Sequence, residues 1–212
     1  MHERADPPGP PVFVDAPADL PGARTDKTDP APGAEVLGMA WFLASLGVLF
    51  AAGVVGYLAV RVPAPDWGAG LPPLPRGLYA STAVLLASSA TMHLALRGAQ
   101  AGRPGVLNGG MLATTGLGAL FLALQCLCWR ELYVHAGSPG VHTLYGMTFY
   151  FLTMLHAVHV VGGLLPLVYT SARALRGRYG PEQHLGVRLC AMYWHFLDVV
   201  WLALFVVLVI IG

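Results

Sequence analysis

Charge is what this sequence has least of. Aspartate, glutamate, lysine and arginine make up 11% of its 212 residues, against roughly 25% in an ordinary soluble domain. The few charges are also segregated. Apart from Asp198, each lies in the N-terminal tail or in a short segment between apolar runs. Water-soluble domains of this length do not distribute charge that way. A net charge of +1 offers no basic surface to nucleic acid or another polyanion. Cysteine is scarce too. Cys126 and Cys128 point to different sides of one helix, and Cys190 falls at the opposite membrane face, so a structural disulfide is not expected. No glycine-rich phosphate loop with lysine, no nucleophile beside a base and no zinc-type Cys/His spacing occurs. No catalytic centre of the chain's own is legible.

Long apolar stretches are what is present. Residues Met1 to Ala34 are rich in Pro, Gly, Ala and Asp and carry no periodic apolar pattern. Such a stretch buries too little surface to offset its ordering entropy, so a disordered, solvated tail is expected over 1–34. It has no apolar signal-peptide core. Five charge-poor runs follow over 35–212: Val36 to Val60, Gly77 to Leu96, Val106 to Trp129, Thr143 to Ala172 and Leu189 to Ile211. Each is near the roughly 20 residues that cross about 30 Å of hydrocarbon. Proline, glycine and arginine punctuate the breaks, including a loop expected over Arg130 to His142 with Pro139. Lipid tolerates no open backbone polar groups, and the runs are too long for barrel strands. The fold class is therefore all-α: a polytopic membrane bundle of five transmembrane helices.

Alternate loops differ in Lys and Arg. The tail, the second loop and the fourth loop hold Arg4, Arg24, Lys27, Arg97, Arg103, Arg173, Arg176, Arg178 and Arg188, while the other side holds Arg61, Arg76 and Arg130. The N-terminus is expected inside and the C-terminus outside. Small residues at close spacing, such as Gly116 with Gly118 and Gly162 with Gly163, suit close helix approach. Pro166 is expected to bend the fourth helix.

The residues that cost most to bury carry the most information. Asp198 is the one carboxylate within a span, and His195 shares its helix face three residues earlier; His156 and His159 pair the same way on the fourth helix. The fourth and fifth helices run antiparallel and bring His159 and Asp198 to comparable depth. Three readings stand open: a structural His–Asp network tying the two helices, a proton relay, and metal or haem ligation. The structural network is the first of these, and on it loss of Asp198 should lower stability or assembly. Gln125 is expected to form an interhelical hydrogen bond. Trp41, Trp129, Tyr193 and Trp194 lie near span ends, as interfacial anchors do.

The string Tyr193-Trp194-His195-Phe196-Leu197-Asp198-Val199-Val200-Trp201 closely resembles the last-helix signature of subunit III of haem-copper terminal oxidases. The fourth span, Phe149 to Thr153, then His156-Ala157-Val158-His159-Val160 and Gly162-Gly163, resembles that family's His-x-x-His helix. Gly38 to Ser45 and Ser88-Ser89 through His93 also fit, so the resemblance covers nearly everything after the tail. It implies a non-catalytic accessory subunit of a cytochrome c or quinol oxidase in a bacterial inner membrane. Haem and copper then belong to partner subunits I and II, and this chain, with no cofactor of its own, holds phospholipid, stabilises subunit I and supports proton uptake. Trp194 and Trp201 are assigned to subunit or lipid contact. Five spans match the bacterial form that lacks the first two of seven helices. Two positions depart from the family pattern: Leu46 and Cys128 stand where it usually has glutamates.

Related subunits accompany nitric oxide reductases, so the acceptor, oxygen or nitric oxide, is chosen by other subunits, as is the electron donor. The rivals from other classes are an independent His-ligated cytochrome and a small proton-coupled transporter built on Asp198 and the histidines. An absorption spectrum separates the first of these: the dissociated chain is expected to show no Soret band, and a band on it would establish a cytochrome.

Overall fold

The computed structural model describes residues 33–64, 76–141 and 143–210, with only the backbone for 135–141. The tail expected over 1–34, but for Gly33 and Ala34, and the Pro-rich stretch 65–75 lie outside the described residues. Five helices make up the described chain: α1 (Ala34–Arg61), α2 (Gly77–Gln100), α3 (Pro104–Val141), α4 (Leu144–Leu175) and α5 (Leu185–Ile210). All five are long and apolar enough to cross a membrane. No strand occurs among the described residues.

Most of the helices overrun the apolar stretches that announce them, because hydrogen bonding continues into polar flanks that lie near water. The largest difference is in α3. The loop expected over Arg130 to His142 is instead helix as far as Val141. Leu132, three residues past Trp129, is buried against the core and rewards the extra turn. Pro166 lies inside a continuous α4.

The helix ends follow local chemistry. Arg97 lies in the last turn of α2 and Arg173 in the last turn of α4, where a cation complements the helix dipole. The Thr143 hydroxyl caps α4 by accepting from Gly146 N–H at 3.1 Å. After α2, Gly102 turns left-handed (φ 63°), Arg103 N–H returns to Gly98 O at 2.9 Å and Gly102 N–H to Ala99 O at 3.2 Å. After α4, Gly177 (φ 67°) repeats the device, with Arg178 N–H on Arg173 O. These are the paired bonds of a glycine-terminated helix, and only glycine takes that φ without strain.

Neighbours in the bundle are α2 with α3, α3 with α4, α4 with α5 and α5 with α2, which closes a four-helix ring; α1 packs on its outside against α4 and α5 alone. Trp194, Trp201, Phe121, Phe149, Leu85, Met92 and Met111 are all buried in the resulting core. The outward faces are apolar as well, with Trp41, Val48, Phe151, Val158 and Leu165 all exposed. Lipid is the environment such a surface fits. Because lipid is as apolar as the core, close packing and hydrogen bonds have to hold the ring together.

The α2–α3 contact shows how close that packing is. A Cβ added to Gly110 would lie 2.8 Å from Ala95 Cβ and 2.9 Å from its Cα and N. Backbone cannot step aside, so the helices would have to separate. At Gly116, on the same helix, an added Cβ meets nothing within 4 Å. Gly110→Ala is therefore expected to destabilise the purified protein in detergent by about 1–3 kcal/mol, as overpacking does. Gly116→Ala should be neutral or slightly stabilising, since it removes glycine's chain entropy. Thermal unfolding of the two variants checks this, and equal stability would contradict the close contact.

Candidate functional site

A tryptophan N–H in hydrocarbon must find an acceptor within the protein. Three do so in the same way. Trp194 Nε1 donates to Ser88 Oγ at 3.0 Å, and that hydroxyl donates to Leu85 O at 2.7 Å. Trp201 Nε1 donates to Thr82 Oγ1 at 3.0 Å, and Thr82 donates to Leu78 O at 2.8 Å. Trp129 Nε1 donates to Thr153 Oγ1 at 3.0 Å, and Thr153 donates to Phe149 O at 2.8 Å. In each relay a hydroxyl returns its own proton to its helix and offers its lone pairs to the neighbour. Trp194 and Trp201 stand two turns apart on α5, and Ser88 and Thr82 lie at matching heights on antiparallel α2. The two ties fix the register of these helices.

Further polar links close the ring. Thr91 and Thr114 hydroxyls meet at 2.8 Å between α2 and α3. Tyr150 OH donates to Trp129 O at 2.9 Å between α4 and α3, and Tyr193 OH to His159 O at 3.0 Å between α5 and α4. Between α4 and α5, the Thr170 hydroxyl and the Cys190 thiol lie 3.3 Å apart.

The residues singled out from sequence fall into separate places. His195 Nδ1 lies 2.8 Å from Ser89 Oγ on α2 and 3.6 Å from Asp198 Oδ2. His159 turns its Nδ1 to its own helix, onto Leu155 O at 2.7 Å, and packs its ring on Phe50. His156 is fully buried among Phe50, Phe121 and Trp201, with ring centroids 6.2, 5.8 and 5.0 Å away. Its two nitrogens make no hydrogen bond to a described residue.

Three expectations change. The side-chain network between His156 or His159 on α4 and Asp198 on α5 is not formed among the described residues. The histidines of α4 face aromatic rings, while His195 reaches α2. Asp198 makes no side-chain hydrogen bond there, so its loss would leave behind only His195, which keeps Ser89. Gln125 is buried likewise without the interhelical hydrogen bond expected of it. Trp194 and Trp201, assigned to subunit or lipid contact, are 2% and 0% exposed and lie inside the ring. The reason is the hydroxyl partner that α2 supplies to each. Trp41, 69% exposed, keeps an outward position. Thr82, the acceptor of the Trp201 tie, carried no signal in sequence, because a lone threonine in an apolar helix marks nothing until its neighbour is known.

No three His, Cys, Asp or Glu side chains among the described residues are placed to share a metal ion. What the geometry defines is a helical membrane bundle whose polar side chains serve mostly to hold helices in register.

Comparison with known proteins makes the class particular. The family model described as Cytochrome c oxidase subunit III matches residues 28–212. A probable cytochrome c oxidase subunit 3 of Mycobacterium tuberculosis is 33% identical over 167 residues, 76% of this chain and 80% of that one. That of Nocardia farcinica is 36% identical over 124 residues, covering 58% and 61% respectively. The cytochrome c oxidase subunit 3 of Heterololigo bleekeri is 33% identical over 177 residues, 80% of this chain and 67% of the relative. The chain belongs to the cytochrome c oxidase subunit III family, the non-catalytic, membrane-embedded subunit of haem-copper oxidases.

The indole ties predict a measurable coupling. Trp201→Phe and Thr82→Val, singly and together, form a double-mutant cycle on the solubilised protein. A coupling of about 0.6–1.7 kcal/mol is expected, the range of interhelical hydrogen bonds in membranes. Strict additivity would show that the bond contributes nothing.

Proposed function

We propose that the chain packs beside the catalytic subunit I of a haem-copper oxidase in a bacterial inner membrane, together with subunit II, and keeps subunit I durable and supplied with protons. Its N-terminus faces inside and its C-terminus outside. Haem and copper belong to subunits I and II. The observation that carries this reading is the family match over residues 28–212, which takes in all five helices. The signature on α5 supports it in physical terms: Trp194 and Trp201 are the bolts between α5 and α2.

Phospholipid is the ligand the surface fits. Two apolar grooves flank the loosely attached α1. One, of about 520 Å³, is lined by Leu49, Gly53, Tyr57, Phe151 and Leu155. The other, of about 480 Å³, is lined by Met39, Phe42, Pro166, Cys190 and Tyr193. Both open outward and suit acyl chains.

The two positions that depart from the family bear on proton supply. Cys128 is buried against α2, where a Cβ on Gly77 would lie 2.6 Å from its Sγ. A glutamate there would have no room without moving α2. With Leu46 apolar as well, neither position offers a carboxylate that could take up a proton. The support this chain gives to proton uptake is therefore structural: it holds the catalytic subunit in shape.

Gentle purification of the tagged chain from its native membrane is the test. Haem-bearing subunits should accompany it, with no haem on the chain after dissociation. A lone, colourless chain would defeat the assignment. In the purified complex, His156→Leu, His159→Leu and Asp198→Leu are each expected to leave the haem absorption bands in place. A lost or shifted band in any of them would place a redox ligand on this chain.

A further inference from the structure

Two side chains inside the ring have every polar atom buried and unmatched. Gln125 on α3 is 1% exposed and His156 on α4 is 0% exposed. Neither the amide of Gln125 nor either ring nitrogen of His156 has a hydrogen-bond partner among the described residues. Leaving such groups unpaired is costly, and hydrocarbon supplies no bulk water to relieve them.

The two stand at one level. Trp129 on α3 meets Thr153 on α4 at 3.0 Å. These helices run antiparallel, so four residues back from Trp129 and three on from Thr153 are steps in the same direction. At 1.5 Å per residue they cover about 6 and 4.5 Å, and they end at Gln125 and His156. Both residues lie on the buried lines of their helices, with Phe121 and Cys128 on α3 and with Leu152, Thr153 and Val160 on α4. The Phe121 and His156 rings, 5.8 Å apart, show that these lines face each other.

Helix α2 brings a third polar group. Thr91 meets Thr114, and Cβ atoms added to Gly110 and Gly77 would touch Ala95 and Cys128. That antiparallel register sets Gln125 level with positions 80 and 81 of α2. Ala80 is exposed, so Ser81, 0% exposed, is the residue that turns inward. Its hydroxyl donates to Leu78 O at 3.0 Å, which leaves the oxygen lone pairs to accept.

The donors and acceptors are complementary through one small molecule. An amide carries N–H donors and a carbonyl acceptor, and either imidazole tautomer carries one of each. A water between them accepts from one, donates to the other and donates again to Ser81. Buried waters make about three such bonds. None of the three groups is a carboxylate, so a cation here would have no counter-charge. Asp198 lies about a turn away along α5, three residues before the Trp201 whose ring meets His156.

We infer that the ring holds a bound water at this level, with Gln125, His156 and Ser81 as its ligands on α3, α4 and α2. Gln125 then makes its interhelical bond through water rather than directly. The water belongs to the fold itself, whichever complex the chain joins.

Two measurements test this. Gln125→Met and His156→Phe, singly and together, remove hydrogen bonding with little change of volume. In the solubilised full chain each single variant should lower the ratio of folded to unfolded protein about tenfold, and the double variant by little more than the worse single one, because the ligands share one site. Losses that simply multiply would overturn the shared site. A density map of the unaltered chain in its native complex, at a resolution that shows ordered water, decides what fills it even if a variant does not fold. The expected result is a peak about 2.7–3.2 Å from a Gln125 amide atom, a His156 nitrogen and Ser81 Oγ. A direct Gln125–His156 bond, apolar side chains closing the level, or an ion at about 2.0–2.6 Å would each overturn the water.

Discussion

An indole N–H has no acceptor in hydrocarbon, and that constraint organises this bundle. In water the same group would bond to solvent and carry no information about its neighbours. Here Trp194, Trp201 and Trp129 each have to meet a hydroxyl on another helix. Each hydroxyl in turn has to be satisfied by its own backbone, which is why serine and threonine serve: they bond the carbonyl three or four residues back and still accept. Three such relays, with Thr91–Thr114 and the tyrosine bonds to backbone, set the register of α2, α3, α4 and α5. Glycine supplies the closeness these bonds need. At Gly118 an added Cβ would lie 2.6 Å from the Trp194 ring, so the ring can reach Ser88 only because α3 presents no side chain there.

The ring leaves α1 as an outsider. It touches only α4 and α5, and the apolar grooves lie along its two flanks. A helix attached on the outside of a closed ring can shift without breaking the indole ties, which all lie among the other four. The division suits a subunit in which one part holds its shape and another meets lipid. It also separates the polar residues by depth: Gln125, His156 and Asp198 are buried, whereas His93 is exposed and His195, beside it, half-buried.

Helix number and class were legible because the membrane imposes them on composition. A segment that crosses hydrocarbon must be apolar over its whole length, so five charge-poor runs meant five helices whatever their packing. Helix ends were less legible: α3 continues through Arg130 and Glu131 because helical hydrogen bonding does not stop where apolarity does. The site was legible in part. Asp198, His195 and the two histidines of α4 were recognisable as residues too costly to be incidental. Their partners were not, since antiparallel neighbours and matching depth say only that two side chains share a level. At that level the α4 histidines meet aromatic rings and His195 meets Ser89 of α2.

By itself the sequence determined the membrane, the five helices and, through the string from Tyr193 to Trp201, the family. All three depend on residue identity along one helix, which side-chain hydrophobicity and spacing fully express. The tertiary structure alone decided that Trp194 and Trp201 point into the bundle, that Thr82 and Ser88 receive them, and that His195 lies beside His93. Each of those facts is a distance between helices. An isolated helix presents its side chains to every direction, and only the packed neighbour decides which of them is a tie and which remains open to a partner.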